Sequence, residues 1–106
     1  MSDNPVAIVT GGSRGVGAAT ARMLSENGWN VVITCSSSLK DADQVAKNCT
    51  NENAEVVALQ ADVSKDLECI ATINKAIEKW GRIDALINNA GTTKFAWDHS
   101  DLDSLT

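Results

Sequence analysis

Short apolar runs alternate along this chain with longer stretches in which apolar residues recur every three or four positions. The runs contain many β-branched residues and no polar alternation, which is typical of strands buried on both faces of a sheet. The longer stretches have the spacing of amphipathic helices. The predicted strands are Val6–Thr10, Asn30–Cys35, Glu55–Gln60 and Ile83–Ile87, and the predicted helices are about Val16–Asn27, Lys40–Asn51 and Lys65–Trp80.

The third helix has the clearest apolar spacing. Ser64 is expected to cap its start, and Gly81 is expected to close it, as Gly28 closes the first helix. Large apolar side chains recur at offsets of three and four, and the pattern predicts that they form the face that packs on the sheet. These residues are Leu67, Ile70, Ile73, Ile77 and Trp80.

The alternation of strands and helices predicts an α/β fold with a doubly wound parallel sheet and helices on both faces. Four strands are expected, in spatial order 3-2-1-4. Ligands of such sheets bind at the carboxyl ends of the strands, where the strand order reverses. Here that place is the gap between the first and fourth strands, where the loops after Thr10 and after Ile87 meet.

Composition excludes several classes of function. The 106 residues carry a net charge of -5, which argues against a nucleic-acid or anionic-membrane partner. No secretory signal or membrane-length apolar stretch is visible, so a cytoplasmic location is expected. Cys35, Cys49 and Cys69 form no C-x-x-C, and they are expected to be small buried residues rather than metal ligands or disulfides.

A glycine-rich loop, Thr10–Gly17, joins the first strand to the first helix. Glycines allow positive φ and a close approach of the backbone to a ligand, and a helix N-terminus suits a pyrophosphate. The spacing G-x-x-x-G-x-G of Gly11, Gly15 and Gly17 is neither G-x-G-x-x-G nor a Walker loop. A turn without a ligand is the alternative, but the position between a buried strand and a helix favours nucleotide binding.

Three motifs together resemble the classical short-chain dehydrogenases/reductases: T-G-G-S-R-G-V-G, Asp62-Val63 and N-N-A-G at 88–91. The likeness is nearest to members similar to 3-oxoacyl-carrier-protein reductases. It implies a fold of the Rossmann type, a nicotinamide cofactor, and hydride transfer to or from a carbonyl or alcohol substrate. The residues implied to line the cofactor site are Gly11, Ser13, Arg14, Gly15, Val16, Gly17, Cys35, Ser36, Ser37, Asp62, Val63, Asn89, Ala90 and Gly91.

The end of the second strand indicates which nicotinamide cofactor is bound. An acidic residue there selects NAD, and members of the family that use NAD tend to carry Asp where this chain has Cys35. Ser36, Ser37 and Arg14 can all donate hydrogen bonds to a 2′-phosphate, so NADP(H) is predicted over NAD(H). The alternatives are a solvated cation for Arg14 and helix capping for the serines.

No tyrosine occurs in the 106 residues. The family's proton transfer uses a Ser, a Tyr and a Lys in a Y-x-x-x-K arrangement, so no catalytic residue is assigned here. We therefore expect residues 1–106 to be the N-terminal dinucleotide-binding part of such an enzyme, with the catalytic second half absent and a homo-oligomer at full length. A nucleotide-binding module without catalysis, or an inactive fragment, is the alternative.

Overall fold

Four parallel strands form one sheet in the computed structural model, which describes residues 4–11, 15–36, 39–62 and 65–89. The strands are β1 (Val6–Thr10), β2 (Asn30–Cys35), β3 (Val56–Gln60) and β4 (Ala85–Asn88). Their spatial order is β3-β2-β1-β4, as predicted. The bounds of β1 and β2 match the apolar runs because both strands are buried along their whole length.

Three helices connect the strands: α1 (Gly15–Glu26), α2 (Leu39–Cys49) and α3 (Asp66–Trp80). Gly81 ends α3 in the left-handed conformation, with φ of 78°, and its N–H donates to the Ile77 carbonyl. The residue at the N-cap of α3 is Lys65, whose side chain makes no capping hydrogen bond. Ser64, the predicted cap, lies outside the described residues.

The side chains of the sheet divide into two apolar clusters, one on each face. Val9 and Ile33 point to the first face, which packs against α1 and α2 through small residues such as Ala21 and Ala46. The side chains at the alternate positions of the same strands, including Ile8, pack with α3 on the second face. This division follows from the alternation of side chains along each strand.

The prediction of which residues of α3 face the sheet is wrong in part. Trp80 is buried and Ile73 is partly buried against the sheet. Three large apolar residues are instead exposed: Leu67 at 81%, Ile70 at 52% and Ile77 at 38%. The buried positions between them hold smaller side chains, namely Cys69, Thr72 and Ala76. Small side chains let the helix axis approach the sheet, so the stripe of small residues makes the contact.

Each of the three cysteines is buried, so the prediction that they are small core residues is confirmed. Cys35 and Cys49 belong to the cluster under α1 and α2. Among the described helices, none combines the length and hydropathy that a membrane-spanning segment requires.

Candidate dinucleotide-binding site

The carboxyl ends of β1 and β4 lie side by side, where the strand order reverses. Thr10, which is fully buried, links them: its hydroxyl donates to Asn88 Oδ1 at 3.0 Å. The N–H of Asn89 donates to the Thr10 hydroxyl oxygen, also at 3.0 Å. These bonds hold the start of the glycine loop beside the end of β4. The Asn88 side chain and the Asn89 backbone thus tie the end of β4 to the end of β1.

The glycine loop leaves β1 through a positive-φ residue and enters α1 through another. Gly11 has φ of 69° and Gly15 has φ of 60°, and both values favour glycine. Among the described atoms outside its own chain neighbours and helix backbone, none lies within 4 Å of a Cβ placed on Gly15, so open space adjoins this side of the helix start. The N–H groups of the first helical turn have no acceptor within the helix, and the dipole is positive there. This donor set suits a diphosphate.

The next two residues of the motif differ in exposure. Val16 is 71% exposed at the start of α1, whereas Gly17 is buried in the contact of the helix with the rest of the fold. Val16 therefore contributes apolar surface beside the glycine turn rather than to the core. The absence of a side chain at Gly17 allows close packing.

The end of β2 contains one buried and one exposed member of the predicted set. Cys35 is only 4% exposed and packs in the core cluster under α1 and α2. Ser36 is exposed, and its carbonyl accepts a hydrogen bond from the Gln60 side chain at 3.4 Å. The residue at this strand end that is open to a ligand is thus Ser36.

The turn after β3 is fixed by a contact that the sequence analysis missed. The N–H of Asp62 donates to Glu68 Oε1 at 2.7 Å, and the Asp62 carbonyl accepts from the N–H of Lys65 at 2.9 Å. Just before the turn, the N–H of Ala61 donates to the Cys35 carbonyl at 2.8 Å, which extends the pairing of β3 with β2. An acidic residue in the first turn of a helix is a known capping signal and could have indicated Glu68.

Negative charge gathers around the start of α3. The pKa of the Cys69 thiol is raised, first by burial and then by the charges of Asp66, Asp62 and Glu68. Because the shift favours the protonated thiol, Cys69 remains neutral near pH 7 and does not provide a thiolate nucleophile.

The structure brings the predicted site together in two places. Gly11, Gly15, Val16 and Asn89 lie at the ends of β1 and β4, and Ser36 and Asp62 lie at the ends of β2 and β3. All of these positions are at the same edge of the parallel sheet. Two further predicted residues, Gly17 and Cys35, are described but buried. The remaining six lie outside the described part of the chain: Ser13, Arg14, Ser37, Val63, Ala90 and Gly91.

A parallel sheet in this order, with a glycine turn after its first strand, defines the class of doubly wound α/β folds that bind nucleotides at the switch point. Comparison with known proteins narrows the class. Residues 5–104 match the short chain dehydrogenase family, and the chain belongs to that family. The resemblance seen in the three sequence motifs is confirmed.

Relatives and solved structures agree with this assignment. A 3-oxoacyl-[acyl-carrier-protein] reductase of Staphylococcus epidermidis is 38% identical over 91 residues, which cover 86% of this chain and 37% of the relative. An alcohol dehydrogenase of Thermococcus sibiricus, solved with 5-hydroxy-NADP, has a TM-score of 0.71 at 30% identity, covering 79% of this chain and 36% of that one. A short-chain dehydrogenase/reductase of Burkholderia phymatum, solved with NAD, has a TM-score of 0.73 at 26% identity, covering 79% and 30%.

The chain spans 35–39% of the length of the first curated relatives that it matches. The part of this chain that matches the family, residues 5–104, contains the strands of the sheet β3-β2-β1-β4 and the glycine loop.

Proposed function

We propose that the protein is an NADP(H)-dependent oxidoreductase that transfers hydride between a nicotinamide and a carbonyl or hydroxyl substrate. Residues 1–106 provide its dinucleotide-binding part in this proposal. One observation carries it: Gly11 and Gly15, both at positive φ, lie directly after β1 and at the start of α1, beside the Thr10–Asn89 contact at the switch point of the sheet. Membership of the short chain dehydrogenase family supports the reaction type.

The residues that follow the carboxyl ends of the strands would each bind a different part of the cofactor. The diphosphate would lie against the backbone of Gly11–Gly17, where main-chain donors and the helix dipole favour negative charge. Asp62 would accept a hydrogen bond from the adenine amino group, with Val63 beside it. Asn89, Ala90 and Gly91 would line the cleft next to the adenosine ribose. When bound, the nicotinamide supplies the hydride donor or acceptor.

The preference for NADP(H) rests on the end of β2 and on Arg14. Cys35 is uncharged and buried, and the exposed Ser36 follows it, so neither residue presents a carboxylate that would repel a 2′-phosphate. The Ser36 hydroxyl can donate to that phosphate. The guanidinium of Arg14, in the glycine loop, would add charge-assisted hydrogen bonds.

The proposal is tested by titrating the protein with NADPH and with NADH and following tryptophan fluorescence. Trp29, Trp80 and Trp97 provide the signal. Saturable binding with a lower Kd for NADPH is expected. Immeasurable binding of both dinucleotides would contradict the proposal, and equal measurable binding would contradict the preference for NADP(H) alone.

Replacement of Arg14 by alanine tests how the 2′-phosphate is recognised. The substitution Arg14→Ala should weaken NADPH binding by roughly tenfold or more and change NADH binding much less, because a charge-assisted bond to phosphate is lost. Arg22→Ala removes an exposed arginine from the body of α1 and is the matched control. If Arg14→Ala weakens both dinucleotides alike, Arg14 does not contact the 2′-phosphate.

A second function, nucleotide binding without catalysis, is favoured by one observation: the 106 residues contain no tyrosine. A tyrosine is the proton donor or acceptor expected from the family resemblance. The two functions are separated by incubating the protein with NADPH and a set of aldehydes and ketones while following absorbance at the nicotinamide band. Binding without turnover of any substrate supports the second function.

A further inference from the structure

The turn that carries Asp62 is held from two sides. On the sheet side, the N–H of Ala61 donates to the carbonyl of Cys35, which ties the turn to the end of β2. On the helix side, the carboxylate of Glu68 accepts the N–H of Asp62 at 2.7 Å. The position of Asp62 relative to the end of β2 therefore depends on a side chain that belongs to the first turn of α3.

We infer that Glu68 is a positioning residue for the adenine end of the bound dinucleotide, acting through the backbone of Asp62. The inference rests on the proposed function, because it requires Asp62 to contact the adenine. It adds a residue that lies outside all three sequence motifs. Glu68 is not proposed to touch the cofactor itself.

The geometry around Glu68 suits this role. One carboxylate oxygen binds the Asp62 N–H, and the other lies 4.0 Å from the Lys65 ammonium group. The side chain of Glu68 is 39% exposed, so it is partly desolvated and is held from both oxygens. The helix beneath it is regular from Asp66 to Trp80, which gives the acceptor a rigid base.

Loss of this acceptor would act locally. The Asp62 N–H would lose its partner, and the turn would keep the Lys65–Asp62 backbone bond and the Ala61–Cys35 bond. Asp62 could then rotate or shift relative to the ends of β2 and β3. A ligand that needs Asp62 in one place would meet a less ordered partner, and its affinity would fall without loss of the fold.

A purely electrostatic role gives a different expectation. Glu68 lies near the N-terminus of α3, where any negative charge stabilises the helix dipole. That effect depends on the charge and not on the Asp62 contact. Glutamine keeps an oxygen that can accept the Asp62 N–H and removes the charge, so Glu68→Gln separates the two roles.

The experiment measures the affinity of the protein for 5′-AMP and for nicotinamide mononucleotide by calorimetry, together with NADPH binding by fluorescence. Glu68→Ala should weaken 5′-AMP by roughly five- to tenfold, the loss expected for one hydrogen bond. Glu68→Gln should stay within about twofold of the wild type, and nicotinamide mononucleotide should bind equally to all variants. Glu78→Ala, which removes an exposed glutamate from the same helix, is the matched control.

Exchange of the Asp62 amide proton, followed by nuclear magnetic resonance, tests the contact itself. Protection should fall in Glu68→Ala and persist in Glu68→Gln. If Glu68→Ala does not fold, Glu68→Asp replaces it, because the shorter side chain cannot keep the 2.7 Å bond from the same Cα position. Glu68→Asp is expected to weaken 5′-AMP in the same way.

The outcomes distinguish this inference from the proposed function. Unchanged 5′-AMP affinity in a folded Glu68→Ala or Glu68→Asp variant, with wild-type protein that binds NADPH, overturns the inference and leaves the proposed function standing. A Glu68→Gln variant as weak as Glu68→Ala also overturns it, in favour of a role of the charge. Wild-type protein that binds neither NADPH nor NADH overturns the proposed function and the inference with it.

Discussion

The two faces of the sheet are built differently. The first face is covered by α1 and α2, which contact β1, β2 and β3 through small buried residues such as Ala21, Ala42 and Ala46. On the second face, among the described residues, α3 packs through Ala76 and Trp80. The helices of both faces bury small residues where they meet the sheet. Side-chain size, as well as hydropathy, decides which stripe of a helix faces inward.

The largest loss of stability is expected from a substitution on the first face. Ile33 is fully buried in the cluster under α1 and α2, and Ile33→Ala should lower the free energy of unfolding by about 2–5 kcal/mol because it leaves a cavity. Urea denaturation followed by tryptophan fluorescence measures the change. A loss below about 1 kcal/mol would mean that this face is packed less tightly than its burial indicates.

An intermediate loss of stability is expected from a substitution that lies between the faces, in the plane of the sheet. Asp84 accepts the N–H of Val6 at 2.8 Å and binds Arg82 through both of its oxygens. The hydrogen bond from Arg82 is the main reason why the pKa of Asp84 is lowered from 3.8, and the Val6 bond lowers it further. Asp84→Asn should cost about 1 kcal/mol or less at pH 7, since the site is partly exposed.

The pH dependence of this contribution has a definite sign. Because the folded pKa of Asp84 is depressed, its stabilisation is fully present above the ordinary value of 3.8 and is lost as the pH falls through the lower folded value. The wild type should therefore lose more stability between pH 6 and pH 3 than Asp84→Asn. Identical losses in the two proteins would show that the carboxylate does not stabilise the junction of β1 and β4.

The smallest effect is expected on the outer side of α3. Leu67 is 81% exposed, so Leu67→Ala should change the free energy of unfolding by no more than about 0.5 kcal/mol. The matched substitution Ile73→Ala, on the partly buried side of the same helix, should cost more. Equal costs for the two substitutions, measured by urea denaturation, would show that α3 presents its larger apolar stripe to the sheet after all.

Much of the fold follows from local patterns. The runs that form β1 and β2 are rich in β-branched residues and stop at Gly11 and Ser36, and the strands are buried from end to end, so their bounds were predictable to the residue. The alternation of strands and helices predicted a doubly wound parallel sheet, and the expected order 3-2-1-4 is the order of such a sheet. The end of α3 at Trp80 was predicted to the residue, and the other helix ends differ from the predicted ones by one or two residues, because caps depend on backbone geometry that composition does not specify.

The inner face of α3 could not be predicted from periodicity. The large residues Leu67, Ile70 and Ile77 and the smaller Cys69, Thr72 and Ala76 both recur at helical spacing. Hydropathy favours the first set, while the distance between helix and sheet selects the second. That distance is set by the fold as a whole and is not visible in a window of the sequence.

The candidate site could also be predicted only in part. Glycines, Asp62 and Asn89 occur in recognisable motifs at strand ends, so sequence alone pointed to them. Glu68 lies outside the motifs and acts by binding Asp62. Thr10 ends β1 and acts by binding Asn88 and Asn89, which lie far along the chain. Such pairs become evident only when the chain is folded.

The central place of β1 has a consequence for how the chain acquires its structure. Val6 is held by Asp84, 78 positions later, and Thr10 pairs in register with Asn88. During synthesis, β1 can pair early with β2, but its other side must wait until β4 has emerged. Contacts this far apart slow the search, so folding should be late and cooperative rather than stepwise from the N-terminus.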